Sequence, residues 1–324
     1  MPEPIYKNKS LIISTLAGIV YGLALWLIFG TRWIRGFEAM SLVFLLMVPF
    51  LIGLVTIRFA ASEYKSSLKY SLLMPWVSVA VIFIITLLLE IEVVICLVLL
   101  APVFMIAASF GGYIAYQWNN SESKKNNKAL SLVLLTPFVL GPIEEQISAA
   151  TAIQTVSTEI TINASQEVVW QQLVEVEGIQ PEELKWSFAH AIGIPPPISS
   201  HIEENEGQKV RKILWGSNIH FSETITDWQY PQQFSYKVKA DHIPAEAIDP
   251  HIEVGGRYFD VFAGGYQLQA ISAEQTRVKL YCTYRVSTHF NAYAKFWAHF
   301  ILDDFQQVIL DVIRKRSEKN ILVK

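Results

Sequence analysis

Long stretches without a charged residue dominate the first 145 positions of the chain and stop abruptly near Glu144. Four of them are 19 to 29 residues long, which is the length that an α-helix needs to cross a hydrocarbon layer roughly 30 Å thick. A fifth block has only 15 residues, at 129–143. This pattern predicts that the first half of the chain lies in a membrane. The four longer blocks are residues 10–31, 39–57, 70–89 and 93–121.

The charged residues divide the chain at the same place. Every aspartate and every histidine lies beyond residue 150, and the chain as a whole is 52% hydrophobic with a net charge of −3. A mean hydropathy of +0.32 is high for a water-soluble protein. We therefore predict a transmembrane helical region over residues 1–147 and a second domain over 154–318. The acidic balance of the second domain predicts no nucleic-acid partner.

Lysine and arginine collect on one side of the predicted spans, which indicates the cytoplasmic side. A fifth helix of 15 residues would cover about 22 Å at 1.5 Å per residue, so it crosses only with help from its flanks. We predict about five spans, a cytoplasmic N-terminus and an extracytoplasmic second domain. The alternative is a re-entrant fifth segment and a cytoplasmic domain. No Lys or Arg lies between Lys128 and Lys185, which favours the extracytoplasmic domain. The residues that favour a cytoplasmic N-terminus are Lys7, Lys9, Arg58, Lys65, Lys69, Lys124, Lys125 and Lys128, against Arg32 and Arg35 on the opposite side.

No motif in the chain predicts a metal or a cofactor. Cys96 and Cys282 lie in apolar surroundings and have no zinc-type spacing. His242, His251 and Glu253 share a polar loop, but their spacing matches no metal-binding pattern. A phosphate-binding glycine loop and a nucleophile elbow are also absent from the sequence. We therefore expect neither a metal nor a cofactor.

The second half alternates apolar and polar residues with a period of two, which predicts β-strands. A first strand near 154–162 precedes a helix with Asn163 and Gln166 as a capping pair, and a second short helix fits 181–190. A long helix over about 291–316 ends the domain. Turn signals, including one at Gly264 and Gly265, separate the remaining strands and predict an antiparallel sheet in an α+β domain. These strands are predicted at 199–203, 209–215, 219–228, 233–238, 257–262, 266–272 and 277–286.

Four segments of this half resemble the START-related polyketide cyclase/dehydratase superfamily, often written SRPBCC. The likeness extends over about 160 to 170 residues, from Gln154 to Glu318, a normal domain size. It implies a helix-grip fold, in which a curved antiparallel sheet surrounds a long C-terminal helix and leaves an apolar cavity for hydrophobic molecules. The superfamily shares a cavity and no catalytic set, so it implies no catalytic residue. The segments are 160–170 (ITINASQEVVW), 221–228 (FSETITDW), 264–268 (GGYQL) and 309–316 (ILDVIRKR).

Six residues are candidates for binding a ligand in such a cavity. Glu223 alternates with Phe221 and Ile225, so it would share their inward face and carry a raised pKa if buried alone. Asp304 lies at the edge of the apolar face of the last helix. The other four candidates are aromatic and neighbour apolar positions: Tyr266, Tyr284, Trp297 and Phe300.

Three functions remain open from the sequence. The first is membrane-tethered binding of a hydrophobic molecule, such as a lipid or isoprenoid, with the lipid bilayer as the other partner. The second is a cyclase- or dehydratase-type enzyme in which Glu223, Asp304 or a histidine moves protons on a hydrophobic substrate. The third is a structural or sensory membrane protein that binds another protein.

Overall fold

The computed structural model describes residues 3–30, 37–120, 127–205, 207–244, 246–249 and 253–322. The chain forms two compact units, Met1–Ala149 and Ala150–Lys324, called here the helical unit and the sheet unit. The division falls between the last apolar block and the first strand.

The helical unit is built from the uncharged blocks, each of which is helical over most of its described residues. Helices satisfy their own backbone hydrogen bonds, as a lipid environment requires. A π-helical segment, Val43–Met47, leads directly into α2. The helices are α1 Glu3–Gly30, α2 Val48–Arg58, α3 Ser62–Lys65, α4 Leu68–Leu88, α5 Val94–Asn120 and α6 Asn127–Glu145.

Glycines bring helices α2 and α5 into backbone contact. A Cβ atom added to Gly53 would overlap the backbone carbonyl of Ala108, and one added to Gly111 would overlap that of Phe50. Small residues at helix contacts allow this close approach where apolar burial alone drives little association. The α2–α5 contact therefore depends on glycine at both positions.

Three helical segments are long and apolar enough to cross a membrane, by length and composition: Leu11–Gly30, Leu68–Leu88 and Val94–Asn120. The second block forms a shorter apolar helix over Val43–Arg58. The prediction of about five spans and of their orientation stays a prediction. The cationic positions within 31–36 and 121–126, on which that orientation partly depends, lie outside the described residues.

The sheet unit contains one seven-stranded antiparallel sheet and, in its described part, three helices. The helices are α7 Gln166–Val174, α8 Phe188–Ala191 and α9 Asn291–Leu322. The strands are β1 Ala152–Ile162, β2 Pro197–Asn205, β3 Gln208–Trp215, β4 Ile219–Gln229, β5 Gln233–His242, β6 Phe259–Ser272 and β7 Gln275–Val286.

The strand order is β1-β7-β6-β5-β4-β3-β2. Strands β2 to β7 are neighbours in chain order, and β1 pairs with β7. The first and last strands therefore lie side by side. Helix α9 packs against β1 and β7. This is a helix-grip arrangement, and it confirms the predicted α+β fold of a helical region followed by an antiparallel sheet and a long last helix.

Helix α9 closes two parts of the core. Near its N-terminus, Ala298 and Leu302 pack against a cluster that includes Val156 of β1. Near its C-terminus, Leu310 and Ile313 lie in the larger cluster with α7 and the middle strands. The apolar residues of α9 therefore contribute to both clusters.

Gly264 and Gly265 lie inside β6, so the turn predicted there is wrong. A Cβ atom on Gly265 would lie 2.6 Å from the hydroxyl of Tyr281, and one on Gly264 would lie 2.9 Å from the ring of Tyr236. Glycine is needed because tyrosine side chains of the neighbouring strands cross β6 at this point. One continuous strand replaces the two that were predicted.

Two helix predictions also need correction. The N-cap of α7 is Ser165, whereas the backbone and side-chain amides of Asn163 donate to Glu318 Oε1 at 3.0 and 3.1 Å. The helix predicted over 181–190 is broken into a 3₁₀ turn, Pro181–Glu183, and the four-residue α8. Both errors arose because polar residues with local capping ability had long-range partners that the sequence does not reveal.

Candidate ligand-binding site

Strands β3 and β4 carry an ion pair on their inward faces. Alternate side chains of a strand share a face, so Arg211 lies on the same face as Ile213, and Glu223 on the same face as Phe221. The antiparallel register places Arg211 opposite Glu223 and Ile213 opposite Phe221. Two charged residues therefore lie directly opposite each other among apolar neighbours.

The ion pair is buried and incompletely hydrogen-bonded. Arg211 and Glu223 are 4% and 6% exposed. Nη1 of Arg211 donates to Glu223 Oε2 at 2.9 Å, and Nη2 donates to the hydroxyl of Ser200 on β2, also at 2.9 Å. Nε of Arg211 is buried and has no hydrogen-bond partner among the residues that the structure describes. The guanidinium group thus retains one donor without a partner.

Two buried tyrosines from the next strands complete a polar cluster. Tyr236 lies on β5 and Tyr266 on β6, and both are less than 7% exposed. The guanidinium carbon of Arg211 lies 5.8 Å from the centre of the Tyr266 ring, within the range of a cation–π interaction. We call Arg211, Glu223, Tyr236 and Tyr266 the buried polar cluster. It spans four adjacent strands of the sheet.

Burial governs the protonation of this cluster. Burial raises the pKa of Glu223, and the charge and hydrogen bond of Arg211 oppose that rise. Burial would lower the pKa of Arg211, but the nearby Glu223 charge outweighs it and the pKa is raised. Burial also raises the pKa of Tyr266 to about 12 and that of Tyr236 well above its usual value. At neutral pH the cluster therefore offers a guanidinium group and two neutral phenols as donors.

The surroundings of the cluster are apolar and aromatic. The ring of Trp215 packs edge-on against Phe221, with centroids 5.0 Å apart, and its centroid lies 4.4 Å from that of Phe305 on α9. A few polar groups on otherwise apolar walls are typical of sites for small hydrophobic molecules. The polar atoms fix the orientation of such a molecule, and the walls supply its apolar contacts.

Two of the six predicted ligand-binding residues, Glu223 and Tyr266, lie together in this cluster. Tyr284 lies elsewhere in the core, where its hydroxyl donates to the backbone oxygen of Lys295 at 3.4 Å. Its ring lies 6.2 Å from that of Phe259. The ligand-binding role of these residues remains a prediction.

Trp297 and Phe300 lie on α9 and contact helix α8 through Phe188. The rings of Trp297 and Phe188 are stacked at 6.1 Å, and Phe300 meets Phe188 edge-on at 5.3 Å. Phe300 is 44% exposed. The three rings pack α8 against α9, and the ring of Phe300 remains accessible to solvent or to another molecule.

Asp304 on α9 binds the N-terminal end of helix α8. Its Oδ2 accepts hydrogen bonds from the hydroxyl of Ser187 at 2.5 Å and from the backbone amide of Ala189 at 2.9 Å. A carboxylate bound to the first turn of a helix satisfies amides that have no partner within it. Both interactions restrain Asp304, so its proposed role as an acid in the cavity would require breaking them.

The polar loop considered for a metal is only partly described. His251 lies outside the described residues. The ring centroid of His242 lies 6.3 Å from that of His220 on the neighbouring strand. His220 and His242 pair with each other where β4 begins and β5 ends.

Three residues of this region were not predicted: Arg211 and Tyr236 of the buried polar cluster, and His190, whose ring meets that of Phe305 edge-on at 5.8 Å. The pairing of Arg211 with Glu223 could have been predicted from the sequence, because the turn between β3 and β4 is centred on Ser217 and both residues are equally distant from it. Tyr236 and His190 had no comparable signal. Their positions depend on contacts with β6 and α9, which are distant in sequence.

Comparisons with known proteins give likenesses of structure. No protein-family model matches the chain, and no curated protein matches it. The Zhui aromatase/cyclase from Streptomyces sp. R1128 is 16% identical and covers 52% of this chain and 96% of its own, with a TM-score of 0.35. A conserved protein from Geobacillus kaustophilus is 16% identical over 52% and 97%, with a TM-score of 0.32. A norcoclaurine synthase mutant from Thalictrum flavum is 12% identical over 53% and 98%, with a TM-score of 0.32.

Proposed function

We propose that this protein binds a hydrophobic molecule inside its sheet unit while its helical unit holds it in a membrane. The observation that carries this proposal is the buried donor of Arg211. Its Nε group lies on the inward face of the sheet without a partner among the described residues. A buried donor without a partner is unfavourable by about 1–3 kcal/mol, and a bound acceptor would remove that penalty.

The ion pair itself supports the proposal, because a buried ion pair is weak evidence for a role in stability. Removing two charges from water offsets most of their attraction, and an apolar pair of similar volume often stabilises a core to a similar extent. Arg211 and Glu223 therefore suit a polar contact to a ligand better than a structural role. We infer that the ligand places its polar end against Arg211 and Tyr266 and its apolar body against the aromatic walls.

The helical unit supplies the proposed tether. Helices α1, α4 and α5 have the length and composition of membrane spans, and we propose about five spans with an extracytoplasmic sheet unit. A tether keeps the binding site at high effective concentration near the bilayer, where a hydrophobic ligand is dissolved. The sequence likeness and the helix-grip arrangement together favour membership of the SRPBCC superfamily.

A cyclase- or dehydratase-type enzyme is the second candidate. Burial raises the pKa of Glu223, and a raised pKa favours the protonated form that a general acid needs. The ion pair with Arg211 disfavours that form. Recovery of the bound molecule chemically unchanged after incubation with the protein would favour the binder, whereas a change in its mass or double-bond pattern would favour the enzyme.

The first test is extraction of small molecules from the purified full-length protein, followed by mass spectrometry. We compare the wild type with the double variant Arg211→Met/Glu223→Leu, which removes both charges and leaves neither one buried alone. We expect a hydrophobic molecule that is enriched in the wild type and reduced at least about tenfold in the double variant, as loss of one charge-assisted hydrogen bond predicts.

The matched control is the exposed pair formed by Lys279 and Glu159, whose side chains are 38% and 51% exposed. The variant Lys279→Met/Glu159→Leu makes the same chemical change at the surface and should retain the bound molecule. Equal enrichment in both double variants would remove Arg211 from the site, and no enrichment in the wild type would contradict stable binding.

A further inference from the structure

His190 has a fixed orientation on helix α8. Its Nδ1 lies 2.9 Å from the backbone oxygen of Ile194. A carbonyl oxygen only accepts, so Nδ1 carries the hydrogen and Nε2 of the neutral ring carries a lone pair. The tautomer is assigned from this hydrogen bond. His190 therefore presents a hydrogen-bond acceptor at Nε2.

That acceptor is buried among apolar groups. Nε2 of His190 is buried and has no hydrogen-bond partner within the described part of the chain. The ring meets Phe305 of α9 edge-on at 5.8 Å, and Phe305 in turn packs against Trp215 on the inward face of β3. Buried polar atoms in folded proteins nearly always have a partner, so this one calls for an explanation.

The backbone beneath His190 is held in place from α9. Asp304 binds the amide of Ala189 and the hydroxyl of Ser187, which lie on either side of Phe188. Phe188 itself stacks on Trp297. A site is effective when the side chain that contacts the ligand is fixed by supporting contacts. Asp304 and Trp297 are positioning residues for His190 in this arrangement.

We propose that Nε2 of His190 accepts a hydrogen bond from a hydroxyl group of the molecule bound in the sheet unit. The inference rests on the proposed function and adds a chemical class to it, a neutral hydrophobic alcohol or phenol. A lone pair needs a donor, and a hydroxyl is favoured over an ammonium group because removing a charge from water is far more unfavourable than removing a hydroxyl. An alcohol or phenol supplies one donor on an otherwise apolar body.

The test compares ligands that differ only in this donor. Full-length protein in detergent is titrated with 2-naphthol and with 2-methoxynaphthalene, and then with 1-dodecanol and its methyl ether. Binding is followed by quenching of tryptophan fluorescence and checked by equilibrium dialysis. We expect at least one hydroxyl compound to bind about tenfold more tightly than its methyl ether, because the ether has lost the donor.

Three variants connect that preference to His190. His190→Phe should bind the alcohol and the ether equally, since the lone pair is gone. His190→Gln places an amide oxygen near Nε2 and should restore part of the preference. His299→Phe makes the same substitution at an exposed position of α9 and should leave the preference unchanged.

The outcomes separate this inference from the proposed function. If both compounds of a pair bind the wild type equally and His190→Phe changes nothing, the inference is wrong, while hydrophobic binding stands. If none of the four compounds binds the wild type, the proposed function fails and the inference fails with it. A preference that persists in His190→Phe assigns the hydroxyl contact to another residue and also overturns the inference.

Discussion

Both units of the protein bury a glutamate, but they stabilise it in different ways. In the helical unit, the carboxylate of Glu144 accepts the backbone amides of Leu42 and Val43 at 2.6 and 2.9 Å. Those amides lie at the start of the helical stretch Val43–Arg58. In the sheet unit, Glu223 binds the side chain of Arg211. One acid is paired with the backbone and the other with a cation.

The two partners differ in whether the fold needs them. The first amides of any helix lack an intrahelical partner, so a carboxylate near them serves the helix itself and its charge favours the positive end of the helix dipole. By contrast, an antiparallel sheet leaves no backbone group that needs a buried cation such as Arg211. Buried polar atoms without partners among the described residues occur in both units, so the difference lies in how each glutamate is paired. They belong to Tyr70, Ser71 and Asn119 in the helical unit and to His190, Arg211, Trp297 and Ser317 in the sheet unit.

The largest effect should come from separating the buried ion pair. Glu223→Leu leaves Arg211 charged and alone, and we expect a loss of about 3–5 kcal/mol, or a fall in Tm of roughly 10 °C for a unit of this size. Arg211→Met/Glu223→Leu should recover most of that loss. Thermal unfolding of the full-length protein, followed by tryptophan fluorescence, measures both. Equal Tm values for the single and double variants would mean that the pair is not buried.

A second effect concerns packing in the helical unit. Gly111→Val forces a side chain into the backbone of Phe50 on α2, and we expect destabilisation of at least about 1–3 kcal/mol from overpacking. The control is Ile106→Val on α5. Ile106 is 71% exposed, so this variant should leave the Tm within a degree or two. An unchanged Tm for Gly111→Val would show that α2 and α5 do not approach as closely as described.

A third effect should depend on pH. Hydrogen bonds and the charge of Arg316 hold the pKa of Glu183 at about 2, below its usual value of 4.5. Because the folded-state pKa is lowered, the stabilisation is complete above about pH 4.5 and is lost as the pH falls towards 2. We expect Glu183→Gln to cost about 1 kcal/mol at pH 7, discounted for partial exposure. The difference in Tm from the wild type should shrink below about pH 4.5 and be nearly gone at about pH 2. A difference that stays constant over this range would contradict the ion pair between Glu183 and Arg316.

The smallest effect should follow Glu144→Gln. The amide keeps one oxygen acceptor for Leu42 or Val43 and loses the charge, so we expect about 0.5–1 kcal/mol. The measurement is again the Tm of the full-length protein. A loss as large as that of Glu223→Leu would mean that Glu144 stabilises more than a helix start, and the contrast between the two acids would weaken.

The fold could be predicted further than the site. Alternating residues placed Glu223 on the inward face of its strand, and the uncharged blocks are helical over most of their described residues. Gly264 and Gly265 were misassigned because glycine serves both turns and close strand contacts. Asp304 was placed correctly on α9, but its partners on α8 are more than 110 residues away in sequence.

Residue patterns along the chain determined which segments are helices or strands, where the apolar half ends and which face of each strand is buried, because these properties repeat every two to four residues. Only the tertiary structure decided that Glu223 meets Arg211, that Asp304 binds α8 and that His190 keeps a lone pair in an apolar setting. Those properties depend on which atoms of distant segments come within hydrogen-bond distance, and that distance is set by packing.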